Sequence, residues 1–289
     1  MESNAKQINS SPQVLRTISE LRLYVSEKRT SGLKIALIPT MGALHEGHLS
    51  LMRQAQQESQ VTIATIFVNP KQFAPNEDLD AYPRTWDEDL DKLSAIGVDA
   101  VFYPSKAQMY PDGFATEVQI KGVSEPLEGE FRPHFFCGVA TIVCKLLLQS
   151  LPDVAFFGEK DYQQLLVLKK MCADLDIPVE IKGVPTVRDE NGLALSSRNA
   201  YLSKEEYESA VMINKTLYEM AKKIKAGAAF NETELWGHDS LRKAGFEKID
   251  YLKICDSETL LAPDKNSSLR ILVAAWMGKA RLIDNIPVL

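Results

Sequence analysis

The strongest constraint on this chain is an alternation. Four short apolar runs rich in β-branched and aromatic residues, LKIALIP (33–39), VTIATIFV (61–68), VDAVFYP (98–104) and PDVAFFG (152–158), are separated by stretches with helical spacing. Between the first two, GHLSLMRQAQQES sets Leu49, Met52 and Ala55 three residues apart, so the opening reads strand, loop, helix, strand. TWDEDLDKLSAIG supplies a helix before the third run and GVATIVCKLLLQS one before the fourth. Parallel strands need crossover connections, and the crossover helices cover the sheet. The alternation therefore predicts an α/β fold whose parallel sheet is buried on both faces.

In such sheets ligands bind beyond the carboxyl ends of the strands. PTMGALHEGH (39–48), NPKQF (69–73) and GEKDYQQ (158–164) all fall there, so three polar loops are expected at one edge. Near residue 186 the texture changes. RDENGLALSSRN (188–199) is a polar loop, and LSKEEYESAVMINKTLYEMAKKIKAG (202–227) reads as one long amphipathic helix with a capping box from Ser203 to Glu206. FEKIDYLKICD, RILVAAWM and ARLIDNIPVL then read as antiparallel strands. The expected domains are 1–185 and 186–289, with no internal repeat.

Composition narrows the partners. A net charge of -6 over 289 residues argues against a nucleic-acid surface, which needs clustered Lys and Arg. No apolar run approaches the roughly 18 residues of a membrane span. The polar opening MESNAKQINSSPQVLRTISELRLYV lacks the pattern of a secretory leader. Cys137, Cys144, Cys172 and Cys255 are scattered, with no C-x-x-C pair, so neither a disulfide framework nor a zinc ribbon is indicated. A cytoplasmic protein without nucleic-acid or membrane partners is expected.

The first polar loop carries two glycines at P-loop spacing, but His48 stands where the lysine belongs and Leu49 where the hydroxyl belongs. A loop that feeds a helix N-terminus already offers backbone N–H groups to a phosphate. His45 and His48 would add donors without a permanent charge, which suits a phosphate under attack at its α position. A metal-binding pair is the competing reading, and no Cys or third His lies nearby to complete it. Lys160, Asp161 and Gln164 follow a buried strand and Gly158, which favours a functional loop over a solvated ion pair. Ser196, Ser197 and Arg198 suit a triphosphate, although a plain turn explains them equally well. Asn69 and Gln72 offer neutral amides to a hydroxylated substrate. The run WDEDLDKL reads as a solvated helix face, with Asp89 as a metal ligand the lesser alternative.

Taken in order, PTMGALHEGHLSLM, IFVNPKQF, DAYPRT, LEGEFRP, FFGEKDYQQL, GVPTVR, LALSSRNAYL and ARLIDNI resemble the pantoate-beta-alanine ligase family from about residue 33 to the end. His45-Glu46-Gly47-His48 is similar to the HIGH-type motif, and Leu195-Ser196-Ser197-Arg198 to the KMSKS-type motif, of adenylate-forming nucleotidyltransferases. The resemblance implies a Rossmann-like N-terminal domain, a smaller α+β C-terminal lid domain, a homodimer, and ATP with Mg2+. Carried onto this chain, it implies ATP contacts from Pro39, Thr40, Met41, Gly47, His48, Gly158, Glu159, Lys160, Asp161, Pro185, Thr186, Val187, Leu195, Ser196, Ser197 and Arg198. His45, His48, Lys160 and the Ser-Ser-Arg run would be catalytic. Gln72, Gln164, Asn69 and Arg132 would serve pantoate and the incoming amine, and no residue is implied as a resident metal ligand. One segment departs from the family pattern: Phe135 stands where a His is usual, and His134 lies one place earlier.

The reaction so implied has two steps. Pantoate and ATP give pantoyl adenylate and pyrophosphate, and beta-alanine then displaces AMP. The alternatives are a nucleotidyltransferase that acts on a phosphate ester and a catalytically silent nucleotide-binding module.

Overall fold

A computed structural model describes residues 11–74, 77 and 79–289. Residues 1–10, the start of the polar opening, lie outside the described residues. In chain order the elements are β1 (Gln13–Leu15), α1 (Ile18–Thr30), β2 (Ile35–Thr40), α2 (Glu46–Glu58), β3 (Val61–Ile66), α3 (Trp86–Ile96), β4 (Ala100–Phe102), α4 (Lys106–Met109), α5 (Glu128–Phe131) and α6 (Phe135–Ser150). There follow β5 (Val154–Gly158), α7 (Tyr162–Asp174), β6 (Glu180–Val184), α8 (Lys204–Ala210), α9 (Met212–Lys225), α10 (Phe230–Lys243), β7 (Lys248–Asp256), β8 (Leu269–Met277) and β9 (Ala280–Val288).

The first six strands form one parallel sheet in the order β1-β4-β3-β2-β5-β6, and the last three form an antiparallel sheet in the order β7-β8-β9. This is the expected α/β class. The chain divides into two compact units, described separately below. One comprises residues up to Ile120, His134–Gly158 and Leu168–Val184; the other comprises Lys121–Pro133, Glu159–Val167 and Pro185–Leu289. A single boundary at 185/186 was expected, and two short upstream segments in fact join the second unit.

The first unit is held together by strands buried on both faces. Ala36, Ile38, Ala64, Ile66, Val154 and Phe156 share a cluster with Leu51, Met52 and Ala55 of α2 and Leu93 of α3. The alternate residues Ile35, Leu37, Ile63 and Ala155 are equally inaccessible, as the two-residue pleat requires when helices cover both sides. Each such Ile, Leu or Phe contributes about 1.5–3 kcal/mol. The helices start and stop by local chemistry. Thr17 and Glu20 form a capping box on α1, and Gly97 ends α3 in the left-handed region at φ +76°.

In the second unit Ile213, Leu217 and Met220 of α9, spaced at four and three residues, pack with Ile254, Ile271, Val273, Ala275, Leu282 and Ile286 on one sheet face. The other face, with Tyr251, Leu272, Ala274 and Ile283, meets Leu127, Tyr162 and Leu166. Gln163 shows why the upstream segments belong here. Its amide donates to the carbonyls of Val123 (3.0 Å) and Pro126 (2.7 Å) and accepts from the Glu128 N–H (3.1 Å). Glu128 in turn accepts from Arg132 and Arg281, at 3.0 and 2.8 Å. The long helix expected over 202–227 is two, α8 and α9, interrupted at Val211. Its capping box from Ser203 to Glu206 is present.

Candidate active site

The His45–His48 loop connects β2 to α2 and frames itself. His45 takes the N-cap position of α2, and its Nδ1 accepts from the Gly47 N–H at 3.1 Å. The His45 N–H donates to Nδ1 of His48 at 3.3 Å, and the two ring centroids lie 4.1 Å apart. A neutral imidazole whose Nδ1 accepts carries its proton on Nε2. In the neutral form, each ring capped in this way carries its proton on Nε2. Ser, Thr, Asp or Asn usually caps a helix; imidazoles perform the same task here.

Ahead of the cap the chain turns through two left-handed residues, Gly42 at φ +83° and Ala43 at φ +50°. A side chain on Gly42 would meet Asp89 and Ile66 at 3.1 Å. Asp89 holds this turn, accepting from the Ala43 N–H (2.9 Å), the Leu44 N–H (2.7 Å) and the Thr85 hydroxyl (3.2 Å). Lys92, also on α3, donates to the Leu44 carbonyl at 2.8 Å. The expectation that the WDEDLDKL run is a solvated face is corrected at this residue, since Asp89 is 1% exposed. The signal was present in the spacing, because Asp89 lies on the same helical stripe as Trp86, Leu90 and Leu93.

The loop after β3, the neighbour of β2 in the sheet, abuts the first. Thr40 donates to the Thr65 carbonyl (2.7 Å) and accepts from the Gly42 N–H (3.2 Å). The Gln72 amide lies 3.0 Å from Sδ of Met41. Asn69 is buried with all four of its hydrogen-bonding positions used. Its amide donates to Gln72 and to the Gly138 carbonyl, both at 3.1 Å, and its oxygen accepts from the Tyr110 hydroxyl (2.7 Å) and the Lys71 N–H (3.3 Å). Asn69 therefore ties the 69–72 turn to α6. Gly138 makes that approach possible, since a Cβ there would fall 2.2 Å from the Lys71 carbonyl oxygen.

The second unit contains the Lys160 turn and the Ser-Ser-Arg loop. Glu159, Lys160 and Asp161 form a single 3-10 turn, with Nζ of Lys160 4.0 Å from the Asp161 carboxylate. The 187–195 segment is a small hairpin in which the Leu195 N–H donates to the Val187 carbonyl at 3.0 Å and Asp189 organises the bend. Ser196 accepts from the Arg198 N–H at 3.3 Å and opens the turn Ser197–Tyr201. Lys160 and Ser196 line one small concavity together with Asn199, Asp284 and five other residues. The structure thus brings the Lys160 turn and the Ser-Ser-Arg loop together. Asn199, which sequence reasoning did not single out, donates to the Ala194 carbonyl at 3.1 Å.

Pro39, Thr40, Met41, His45, Gly47, His48, Asn69, Gln72 and Gly158 belong to the first unit. Arg132, Gln164, Pro185, Thr186, Val187 and the residues of the Lys160 and Ser196 loops belong to the second. Arg132, expected at the substrate, is ion-paired with Glu128 at 3.0 Å and has a side chain 15% exposed.

Comparison with known proteins identifies the family. The sequence profile of the pantoate-beta-alanine ligase family matches residues 13–287. The pantothenate synthetase of Caulobacter vibrioides is 53% identical over 283 residues, covering 96% of this chain and 99% of that one. A crystal structure of the pantothenate synthetase from Thermus thermophilus matches with a TM-score of 0.91 at 44% identity, over 96% of this chain and 99% of that one. That of the Francisella tularensis pantoate-beta-alanine ligase, complexed with beta-gamma ATP and beta-alanine, matches with a TM-score of 0.80 at 34% identity, over 96% and 98%. The chain belongs to the pantoate-beta-alanine ligase family.

Proposed function

We propose that the protein condenses pantoate with beta-alanine at the expense of ATP, through a pantoyl adenylate. A pantoate carboxylate oxygen attacks the α-phosphorus; the bond to the bridging oxygen breaks, and pyrophosphate leaves. The beta-alanine amine then attacks the acyl carbon, the acyl–oxygen bond breaks, AMP departs, and the amine proton passes to solvent. No protein nucleophile is required.

The observation that carries this reading is the reciprocal histidine cap. It sets two imidazoles, each held in orientation through Nδ1, at the N-terminus of α2 beside its backbone N–H groups, a set matched to charge developing on phosphate oxygens. Lys160, Ser196, Ser197 and Arg198 supply further donors to the phosphates. Pro39, Thr40, Met41, Gly47, Gly158, Glu159, Asp161, Leu195 and Pro185–Val187 complete the ATP contacts. Gln72 and Gln164 hold pantoate by their amides. Asn69 and Arg132 serve the substrates as the resemblance implies and also brace their own segments through partners in the protein.

Mg2+ would be bound chiefly by phosphate oxygens and water, as is usual for an ion that takes only one or two carboxylates from a protein. Among the described residues no group of three His, Cys, Asp or Glu side chains is disposed to hold a metal. Asp161, 42% exposed beside Lys160, fits a single-carboxylate contact to such an ion. When bound, the ion would neutralise triphosphate charge and favour pyrophosphate as a leaving group. Assembly as a homodimer and a cytoplasmic location are supported by family resemblance; light scattering and cell fractionation test them. Among the described residues no helix is long and apolar enough to cross a membrane.

The deciding experiment is pantoate-dependent exchange of labelled pyrophosphate into ATP without beta-alanine. Exchange that requires pantoate, with AMP formed once beta-alanine is added, is the expected result. ADP as product, or no exchange by active protein, would overturn the adenylate route.

A further inference from the structure

The last strand carries the dipeptide Asp284-Asn285 in the middle of an otherwise apolar run, and the reaction above gives it no task. We infer that Asp284 and Asn285 are positioning residues that hold the Lys160 turn and the 188–199 loop in register for the nucleotide. This rests on the reading that Lys160 and Ser196 contact ATP.

Adjacent residues on a strand face opposite sides of the sheet, and β9 uses both. The Asn285 amide donates to the backbone carbonyls of Glu159 and Lys160, each at 2.9 Å. Its oxygen accepts from Arg270, whose guanidinium carbon lies 3.6 Å from the ring centroid of Tyr162 and whose terminal nitrogen lies 3.7 Å from the Glu159 carboxylate. Asp284 grips Arg188 with both oxygens, at 2.6 and 2.8 Å. Arg188 in turn donates to the Gly192 carbonyl at 3.1 Å, inside the hairpin that leads to Ser196. Asp284 also lines the concavity shared by Lys160 and Ser196.

Asp284 and Asn285 are each 4% exposed, and Arg270 is 8% exposed. Burying a carboxylate and an amide costs free energy that a Val or Ile at the same place would not incur. What the polar pair supplies, and an apolar pair could not, is a fixed distance between two loops drawn from separate parts of the chain. Each loop is bonded to a different side of one strand, so neither can shift without losing two hydrogen bonds.

The test is a double-mutant cycle between Asn285→Asp and Lys160→Ala, read by pantoate-dependent pyrophosphate exchange. Asn285→Asp keeps the volume and the acceptor that faces Arg270, but turns a carboxylate toward two carbonyls. The expected result is a 10- to 100-fold lower exchange rate at saturating substrates, with KM for pantoate changed less than about threefold and the thermal midpoint held within a few degrees. In the Lys160→Ala background the same change should cost less than about twofold, because the residue it positions is gone. Equal losses in both backgrounds would mean general distortion and overturn the inference, as would no loss in the parent enzyme. Asn285→Ser, which keeps one donor, serves if the Asp variant does not fold, and the same outcomes apply. Lys160→Ala turning over at the parent rate would instead remove Lys160 from the site, and with it the reading on which this inference stands.

Discussion

The His45–His48 loop and the Lys160 turn both offer donors suited to phosphate, yet they are framed differently. Each histidine ring in the first is oriented by a backbone N–H no more than three residues away. The Lys160 turn has its carbonyls held by a side chain 125 residues downstream, and the hairpin leading to Ser196 is clamped from 96 residues away. Local framing separates chemistry from stability, because the ring geometry survives as long as one helix N-terminus exists. Distant framing joins them, because the loops are in place only when the antiparallel sheet is formed.

The largest effect should come from the locally framed loop. On the proposed role of His48 as a donor to the transition state, His48→Ala should lower pyrophosphate exchange about 100- to 1000-fold. It also removes one cap acceptor, worth about 1 kcal/mol, so the calorimetric midpoint should fall by only a few degrees. Loss of fold together with activity would break the contrast between the two loops.

Gly138→Ala tests a distant contact in the first unit. The added Cβ would sit 2.2 Å from a backbone oxygen and 2.5 Å from a backbone carbon of Lys71, atoms that no rotamer change can move aside. A cost of about 3 kcal/mol is expected from forcing the 69–72 turn off α6, measured by urea denaturation. Exchange should fall as well, since Gln72 rides on that turn. A stable, active variant would show that the turn is not braced by α6.

Asp89→Asn lies between the two cases, because a residue 45 and 46 positions away anchors a loop that otherwise frames itself. The two N–H groups bond to different carboxylate oxygens, so an amide, with one oxygen replaced by NH2, keeps only one of these bonds, and hydrogen bonds to a charged partner are worth about 1.5–3 kcal/mol each. Stability should drop by about 2 kcal/mol. Exchange should fall about tenfold, as Ala43 is released from its left-handed conformation. Stability loss without rate loss would confine Asp89 to packing.

These contrasts also explain what could be read from sequence. β2, β3 and β5, helices α2, α3 and α6, and the Ser203 capping box all announce themselves within a dozen residues, by periodicity or cap chemistry. β1 did not, because Gln13–Leu15 is too short to show a period and has a single buried residue, Leu15. Nor did α10, whose apolar positions are few, with Thr233, Gly237 and Leu241 its buried residues. The histidine loop was singled out because its residues are neighbours in sequence, although the reciprocal cap between the rings was not foreseen. Asp89 was misread because charge was weighed ahead of position on the helix. Asn69 and Arg132 were identified as residues but not as braces, since Gly138 and the α5–β9 ion pairs that engage them are set by the tertiary fold. Asn285 lies 125 residues from the carbonyls it holds, beyond the reach of any local pattern.

The smallest expected effect separates stability from chemistry by pH. His238 lies on α10 of the second unit, and burial holds its pKa below the usual 6.5. Arg242 and Lys253 add to this, while Glu234 and Asp239 oppose it. A histidine with a lowered folded pKa favours the native state fully above its unfolded value, and this stabilisation is lost as pH falls through the folded value. The parent protein should therefore lose stability below pH about 6.5 more steeply than His238→Gln does, with a difference under about 1 kcal/mol because the ring is partly solvated. Urea titrations at pH 7.5 and 5.0 measure that difference. The exchange rate of the folded enzyme should have the same pH profile in both proteins, since His238 touches neither loop. If the substitution moves the rate profile as well, α10 is coupled to the Lys160 turn, and framing in the second unit reaches beyond β9.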